Sequence, residues 1–475
     1  MNTRKNTLYN VAYRVFSMLL PLVTAPYLSR TVGADGVGLY GYAWAISYVF
    51  VLVGQLGLEN YGPREIARSR ENSITLNRTF SEIWKMQRLV AGVTLLVYLG
   101  YVFFVAGEEK QISFHLTMMS VSCLVNLDWC LMGLDTFRPI ALRNTAVKLL
   151  AAIAVFVFVK GPDDLWIYAF VWSLSTLLGC LSCMMTLRGK VHLERVSWQA
   201  ALKHLKPCAV LSISVIAVSV YRQMDKVMIG ALADMTQTGL YENAEKIILC
   251  LSGFISAIGT VMLPKISRMT SLKQMDEVRR HIALSMELVM CMVCAMAFGL
   301  AAIAPEFAML FYGDEFTESG TLMIPLAFTL LTIGFANVIR TQWVLPQKRD
   351  HIFVRSVLTG AVINLIANAI LIPKYGAMGA VAATVMAELS VPVVQYIYLH
   401  KELPYGAYLK TTAMYVLFGL AMLLCVRACA AFLPLTGWLG LGVRVMVGAI
   451  VYCGLCLVSW HAAKRQDILR LLHRK

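Results

Sequence analysis

Apolar runs separated by short polar stretches recur along almost the whole chain. They fall near 8–30, 37–60, 83–106, 113–134, 144–160, 165–187, 208–233, 239–263, 284–311, 321–345, 355–373, 377–399, 411–433 and 440–461. A helix rises about 1.5 Å per residue and a bilayer core is about 30 Å thick, so a run of roughly 20 residues spans it. The pattern predicts an all-α membrane protein with about 14 transmembrane helices. Pro21, Pro26, Pro325 and Pro392 lie inside predicted spans; membrane helices tolerate such breaks where neighbours satisfy the freed backbone groups. The first run follows Arg4 and Lys5, is long, has no A-x-A-like cleavage site and precedes further spans. It is read as a retained span rather than a signal peptide.

Charge tests the span count. The N-terminal stretch, every second connection and the C-terminal stretch together carry 31 lysines and arginines, span ends included. The alternate connections hold only Arg30, Lys110, Lys160 and Lys374, beside Glu108, Glu109, Asp163, Asp164, Asp314, Glu315 and Glu318. A missed or invented helix would put this alternation out of phase, so both termini are expected in the cytoplasm. With 59% of its 475 residues hydrophobic and 15% charged, the chain is too apolar for a soluble domain. Its net charge of +15 follows the topology, which argues against a nucleic-acid partner.

An internal repeat organises the spans. Gly38-Leu39-Tyr40 opens the second and Gly239-Leu240-Tyr241 the eighth, with Ala43 and Ala244 following; Pro63-Arg64 and Pro264-Lys265 close them at the same offset of 201. Leu142-Arg143 and Val354-Arg355 correspond at offset 212. Spans 1–6 and 7–12 therefore read as two parallel copies of a six-helix unit flanking a central cavity. The expected domains are an N-terminal lobe 1–200, a C-terminal lobe 201–405, and two additional transmembrane helices with a basic tail, 406–475. At offset 201 the Pro21–Pro26 stretch, read as an interrupted helix, aligns with Arg222, Asp225 and Lys226.

A charge at the bilayer centre costs at least about 2.5 kcal/mol, so those inside spans need a reason. Arg14, Asp128, Arg222, Asp225, Lys226, Glu242, Glu245, Lys246, Arg340 and Glu388 lie well inside the first twelve. Arg222, Asp225 and Lys226 share one helix face at i, i+3, i+4, and Glu242, Glu245 and Lys246 repeat the spacing. Two readings stand: intrahelical ion pairs that lower insertion cost, or faces lining a water-filled cavity that handles charged cargo or a coupling ion. On the second, Arg14, Arg222, Lys226 and Arg340 are candidate cations for an anionic substrate, and Asp225, Glu388, Glu242 and Glu245 are candidates for ion coupling. Asp128, beside Trp129, also reads as interfacial. Asn364 and Asn368 at i, i+4 read as interhelical glue.

The chemistry of the chain is otherwise plain. Its 12 cysteines lie in apolar segments, six of them as the C-x-x-C pairs Cys180/Cys183, Cys291/Cys294 and Cys453/Cys456. On embedded helices these read as small hydrophobes rather than as a metal site. There is no phosphate-binding G-x-x-x-x-G-K-[ST], no H-E-x-x-H and no G-x-S-x-G. No cofactor is implied, and the short outward connections leave no domain for catalysis.

The N-terminal residues carry a resemblance. Asn6 and Asn10 lead into Pro26-Tyr27-Leu28-Ser29-Arg30; Gly33-Ala34-Asp35-Gly36-Val37-Gly38-Leu39-Tyr40 follows; Gly62-Pro63-Arg64-Glu65-Ile66-Ala67-Arg68 closes the second span. This resembles the polysaccharide-biosynthesis (Wzx-type) flippases of the MOP exporter superfamily. The resemblance implies two six-helix lobes around a cavity plus two extra helices, in a bacterial inner membrane. It implies movement of undecaprenyl-diphosphate-linked oligosaccharide to the outer leaflet by alternating access, for O-antigen, capsule or another glycan, alongside other polysaccharide assembly proteins. Two relatives in the superfamily are the alternatives: a flippase for the peptidoglycan precursor, and a cation-coupled multidrug antiporter. Against the second stand the extra helices and the buried arginines and lysines.

Overall fold

The computed structural model describes residues 3–462, with side chains from Leu20 onward except at 137–139, 141, 213–215, 217, 218 and 220. Arg14 and the basic C-terminal tail thus lie outside the described side chains. In chain order the helices are α1 (Thr3–Gln55), α2 (Leu58–Ser69), α3 (Ser73–Phe104), α4 (Lys110–Val125), α5 (Asp128–Gly133), α6 (Phe137–Phe158), α7 (Leu165–Leu187) and α8 (Trp198–Leu202). They continue with α9 (Leu205–Leu232), α10 (Met235–Ser271), α11 (Met275–Tyr312), α12 (Thr317–Ile339), α13 (Asp350–Leu399), α14 (Tyr405–Phe432) and α15 (Gly437–Ala462). No strand occurs among the described residues. Helices α1 and α13 each hold two predicted spans, and α2, α5 and α8 are short connectors, so every one of the 14 predicted spans has its helix.

The bends in the two double-length helices fall at glycines. Gly33 has φ 72° and ψ −178°, and Gly376 has φ 56°; without a Cβ, glycine enters these regions at little steric cost. The expected interruption at Pro21 and Pro26 is not there: helix α1 runs through both prolines.

Helix α4 is the second correction. The predicted fourth span ran to 134, but the helix ends at Val125 and restarts at Asp128. The freed carbonyls find donors on α3: Trp84 Nε1 donates to Leu124 O at 3.1 Å, and Gln87 Nε2 donates to Cys123 O at 2.7 Å and Asn126 O at 2.8 Å. A break inside a membrane survives only with such partners. Asp128 is therefore not a mid-span charge. It begins α5 and accepts from Arg143 of α6 at 2.9 Å.

By density of contact the chain divides into two compact units, Met1–Glu242 and Asn243–Lys475. In the first, Leu58, Ile66, Phe80, Trp84, Trp129 and Cys208 belong to one buried cluster that joins α2, α3, α5 and α9. In the second, α14 and α15 pack on α11. Arg444 pairs with Glu306, Tyr452 donates to Cys291 O at 2.7 Å, and Trp460 donates to the Tyr415 hydroxyl at 2.9 Å. The two additional helices are thus latched along the length of α11.

Candidate functional site

The two occurrences of the repeated Gly-Leu-Tyr motif lie against each other. After its bend at Gly33, α1 continues through Gly38; after the turn at Ala233–Asp234, α10 starts and reaches Gly239. A Cβ on Gly38 would collide with the Met235 carbonyl oxygen, and one on Gly239 with the Ala34 carbonyl oxygen. Met235 is Ala34 shifted by 201 positions, as Gly239 is Gly38. The contact is therefore reciprocal: each glycine faces the carbonyl of the residue four before the other. Backbone meets backbone here, which only glycine permits.

Beside this crossing sits a ladder of polar pairs between α9 and α10. Tyr241 Oη donates to Asp225 Oδ2 at 2.6 Å, and Lys226 Nζ lies 2.7 Å from Glu242 Oε2. The tight turn at 233–234 places residues 225–226 opposite 241–242, so the rungs run across the hairpin and not along one helix. Lys226 and Glu242, one from each charged cluster, thus pair between helices. Asp225 and Lys226 are each only 4% exposed. The Lys226 ammonium also stands 5.8 Å from the Trp44 ring, a weakly favourable position for a cation. Tyr40 and Tyr168 pack edge to face at 4.7 Å beside Glu242.

Arg222 stands apart. It is exposed on α9, one turn before the buried pair, with its charge near Tyr48. From there towards the α2 end, Tyr48, Gln55, Glu59, Asn60, Ser212 and Ser219 line a cleft of about 170 Å³ between α1, α2 and α9. Apart from Glu59, these residues were missed by a search for charges. The signal available was the cluster Gln55, Glu59 and Asn60 at a span end, and Ser212 and Ser219 two helical turns apart.

In the second unit, Arg340 opens a π-helical turn, Arg340–Val344, at the end of α12. Such turns are concentrated at functional positions. Its guanidinium lies 5.0 Å from the Phe353 ring. Glu245 on α10 and Glu388 on α13 are half-buried. Asn368 Nδ2 donates to Asn364 Oδ1 at 3.1 Å, so these two amides bond to each other along α13.

Comparison with known proteins narrows the reading. A family model described as polysaccharide biosynthesis protein matches residues 3–270. A protein named as an O-antigen transporter from Shigella dysenteriae is 21% identical over 392 residues, covering 81% of this chain and 97% of its own. A protein named as a low-salt glycan biosynthesis flippase from Haloferax volcanii is 26% identical over 166 residues, 35% of each chain. Among solved structures, the lipid II flippase MurJ in an inward closed conformation superposes with TM-score 0.79 at 16% identity, over 96% of this chain and 99% of that one. An inward-facing multidrug resistance MATE family transporter of the MOP superfamily gives TM-score 0.62 at 9% identity, over 84% and 95%. At these identities the structural likeness speaks for the fold.

Proposed function

This chain belongs to the polysaccharide biosynthesis protein family, and we propose that it flips a lipid-linked oligosaccharide across the bacterial inner membrane. The cargo is an undecaprenyl-diphosphate-linked repeat unit destined for surface polysaccharide. It passes from the cytoplasmic to the outer leaflet by alternating access between the two six-helix lobes. Both termini face the cytoplasm, and the lobes are the repeats 1–200 and 201–405, with 406–475 as an appended pair. The protein transports and does not catalyse.

The observation that carries this reading is the reciprocal Gly38–Gly239 crossing beside a ladder of paired charges, with the exposed Arg222 one turn away. A substrate with a diphosphate head needs cations that are solvated in one state and buried in another. Arg14, Arg222 and Arg340 are the cations that meet it first. Lys226 is engaged by Glu242 while the crossing is shut and becomes available when the helices part. A proton or cation that binds Asp225 or Glu242 weakens the ladder, which links ion entry to opening; Glu245 and Glu388 complete the set of coupling carboxylates.

Mass analysis of lipid extracts from cells lacking the protein tests the proposal. Accumulated undecaprenyl-diphosphate oligosaccharide with loss of surface glycan supports it. Accumulated peptidoglycan precursor, or sensitivity to cationic drugs with unchanged lipids, transfers the chain to one of the alternatives. Arg222→Ala and Arg340→Ala are each expected to abolish export while expression and membrane insertion persist. Normal export in both sinks the assignment of these cations.

A further inference from the structure

A second concave site lies apart from the crossing. Helix α2 buries Leu58, Gly62, Ile66 and Ser69 along one stripe, and so turns Arg64, Glu65 and Arg68 the other way. They face the corner where α8 leads into α9, across a cleft of about 520 Å³. Lys203 and Lys206 line its far side, and Pro207, Val210 and Leu211 form an apolar wall. Four cations therefore share the cleft with a single carboxylate, Glu65, and that carboxylate is taken by Arg68 at 2.8 Å.

The cleft is built rather than incidental. Glu82 of α3 is 2% exposed and holds Lys203 at 2.5 Å, His204 Nε2 at 3.2 Å and Arg78 Nε at 3.1 Å. His204 Nδ1 in turn lies 2.7 Å from the Tyr61 hydroxyl of α2. This chain ties both walls to α3. It leaves Arg64 and Lys206 with no carboxylate partner among the described residues. Unpaired like charges converging on one cavity call for an anion.

The apolar wall says what kind. Val210 is 60% exposed and continues into Leu205 and Leu202. Trp198, exposed on α8 with the Lys85 ammonium 4.2 Å from its ring, is the type of side chain that sits at the headgroup level of a bilayer. Cations beside an apolar, exposed wall suit an amphiphile. We propose that this cleft binds the phosphate of a membrane lipid, with Arg64 and Lys206 as its main contacts. The phosphate belongs either to a bulk phospholipid or to a polyprenyl diphosphate waiting to be loaded. A resident phospholipid is independent of what the protein flips, whereas the loading role rests on the proposed function.

The test is lipid retention by the purified full-length protein, counted by native mass spectrometry. The probes are phosphatidylglycerol, phosphatidylcholine, a polyprenyl diphosphate and inorganic phosphate. Arg64→Gln/Lys206→Gln is compared with Lys265→Gln/Arg268→Gln, an exposed pair of cations on α10. Expected is selective retention of the anionic lipids over phosphatidylcholine. The first variant weakens it roughly tenfold or more, as the removal of two interfacial cations dictates, and the second leaves it unchanged. Displacement of phosphatidylglycerol by the polyprenyl diphosphate identifies a loading site. Retention of phosphatidylglycerol alone identifies a resident lipid. Equal loss in both variants, unchanged retention in the first, or binding of inorganic phosphate without lipid overturns the proposal. Unchanged melting of the first variant shows that its fold is intact.

Discussion

Replacing Gly38 with alanine tests whether the crossing is the shut end of a transport path. The new methyl group would lie in the Met235 carbonyl oxygen, 2.7 Å from its carbon and 2.8 Å from the Gly239 nitrogen. All three are backbone atoms of a neighbouring helix, so no rotamer change relieves the clash. The helices must part by about 1–2 Å, at the cost of overpacking, typically 1–3 kcal/mol. Taking about 2 kcal/mol, an equilibrium between shut and parted states moves roughly 30-fold towards parted. The readout is labelling of a cysteine at Thr238, a wholly buried position beside the crossing, by a membrane-impermeant maleimide, with exposed Cys425 and Cys453 removed. Labelling is expected to quicken by about that factor. Gly239→Ala acts equally, because its Cβ meets the equivalent carbonyl of Ala34. The double variant adds little more, since one separation relieves both clashes. Gly92→Ala, in α3 with nothing within 4 Å of its Cβ, changes nothing. If Gly38→Ala labels like the parent, or Gly92→Ala quickens labelling as much, the crossing is not a gate.

Other consequences follow from the buried charges. Glu242→Gln removes the carboxylate 2.7 Å from the buried Lys226 ammonium, and a loss of up to about 3–5 kcal/mol is expected in detergent unfolding; Lys226→Met/Glu242→Gln recovers most of it, and additive losses would refute the pairing. His204, between α8 and α9, is held below the ordinary imidazole value by burial, helped by the Lys203 ammonium and outweighing the pull of Glu82 and Glu65. Its neutral form accepts from Tyr61 and donates to Glu82. The unfolded chain takes up a proton below about pH 6.5 while the folded one does not, so stability falls as pH drops from about 7 to 5.5. In His204→Gln that slope is expected to flatten; an unchanged slope refutes the assignment.

The span pattern was legible because it is local. Each apolar run and each basic connection speaks for itself, and the offset of 201 marked Gly38 and Gly239 as equivalents. That equivalents also touch could not be read from the chain, since repetition carries no information about which surfaces meet. Pairing of Lys226 with Glu242 depended on where the hairpin turns, which spacing along either helix does not give. The end of α4 was hidden for another reason: the donors that satisfy it, Trp84 and Gln87, come from about forty residues earlier. The polar groups in the cleft beside Arg222 are, Glu59 apart, hydroxyls and amides, which a search for charges passes over.

The latch between Arg444 and Glu306 has a consequence for how the protein is made. The chain emerges from the ribosome in order, and Arg444 lies 138 residues downstream of Glu306. At 5–20 residues per second, α11 waits roughly 7–28 s in the membrane before its partner is synthesised. For that interval Glu306 lacks the cation it pairs with in the finished protein, and α11 lacks the helices that cover its flank. The last two helices thus close the assembly in time as well as in space, and a nascent chain stalled before α15 is marked as incomplete by one waiting carboxylate.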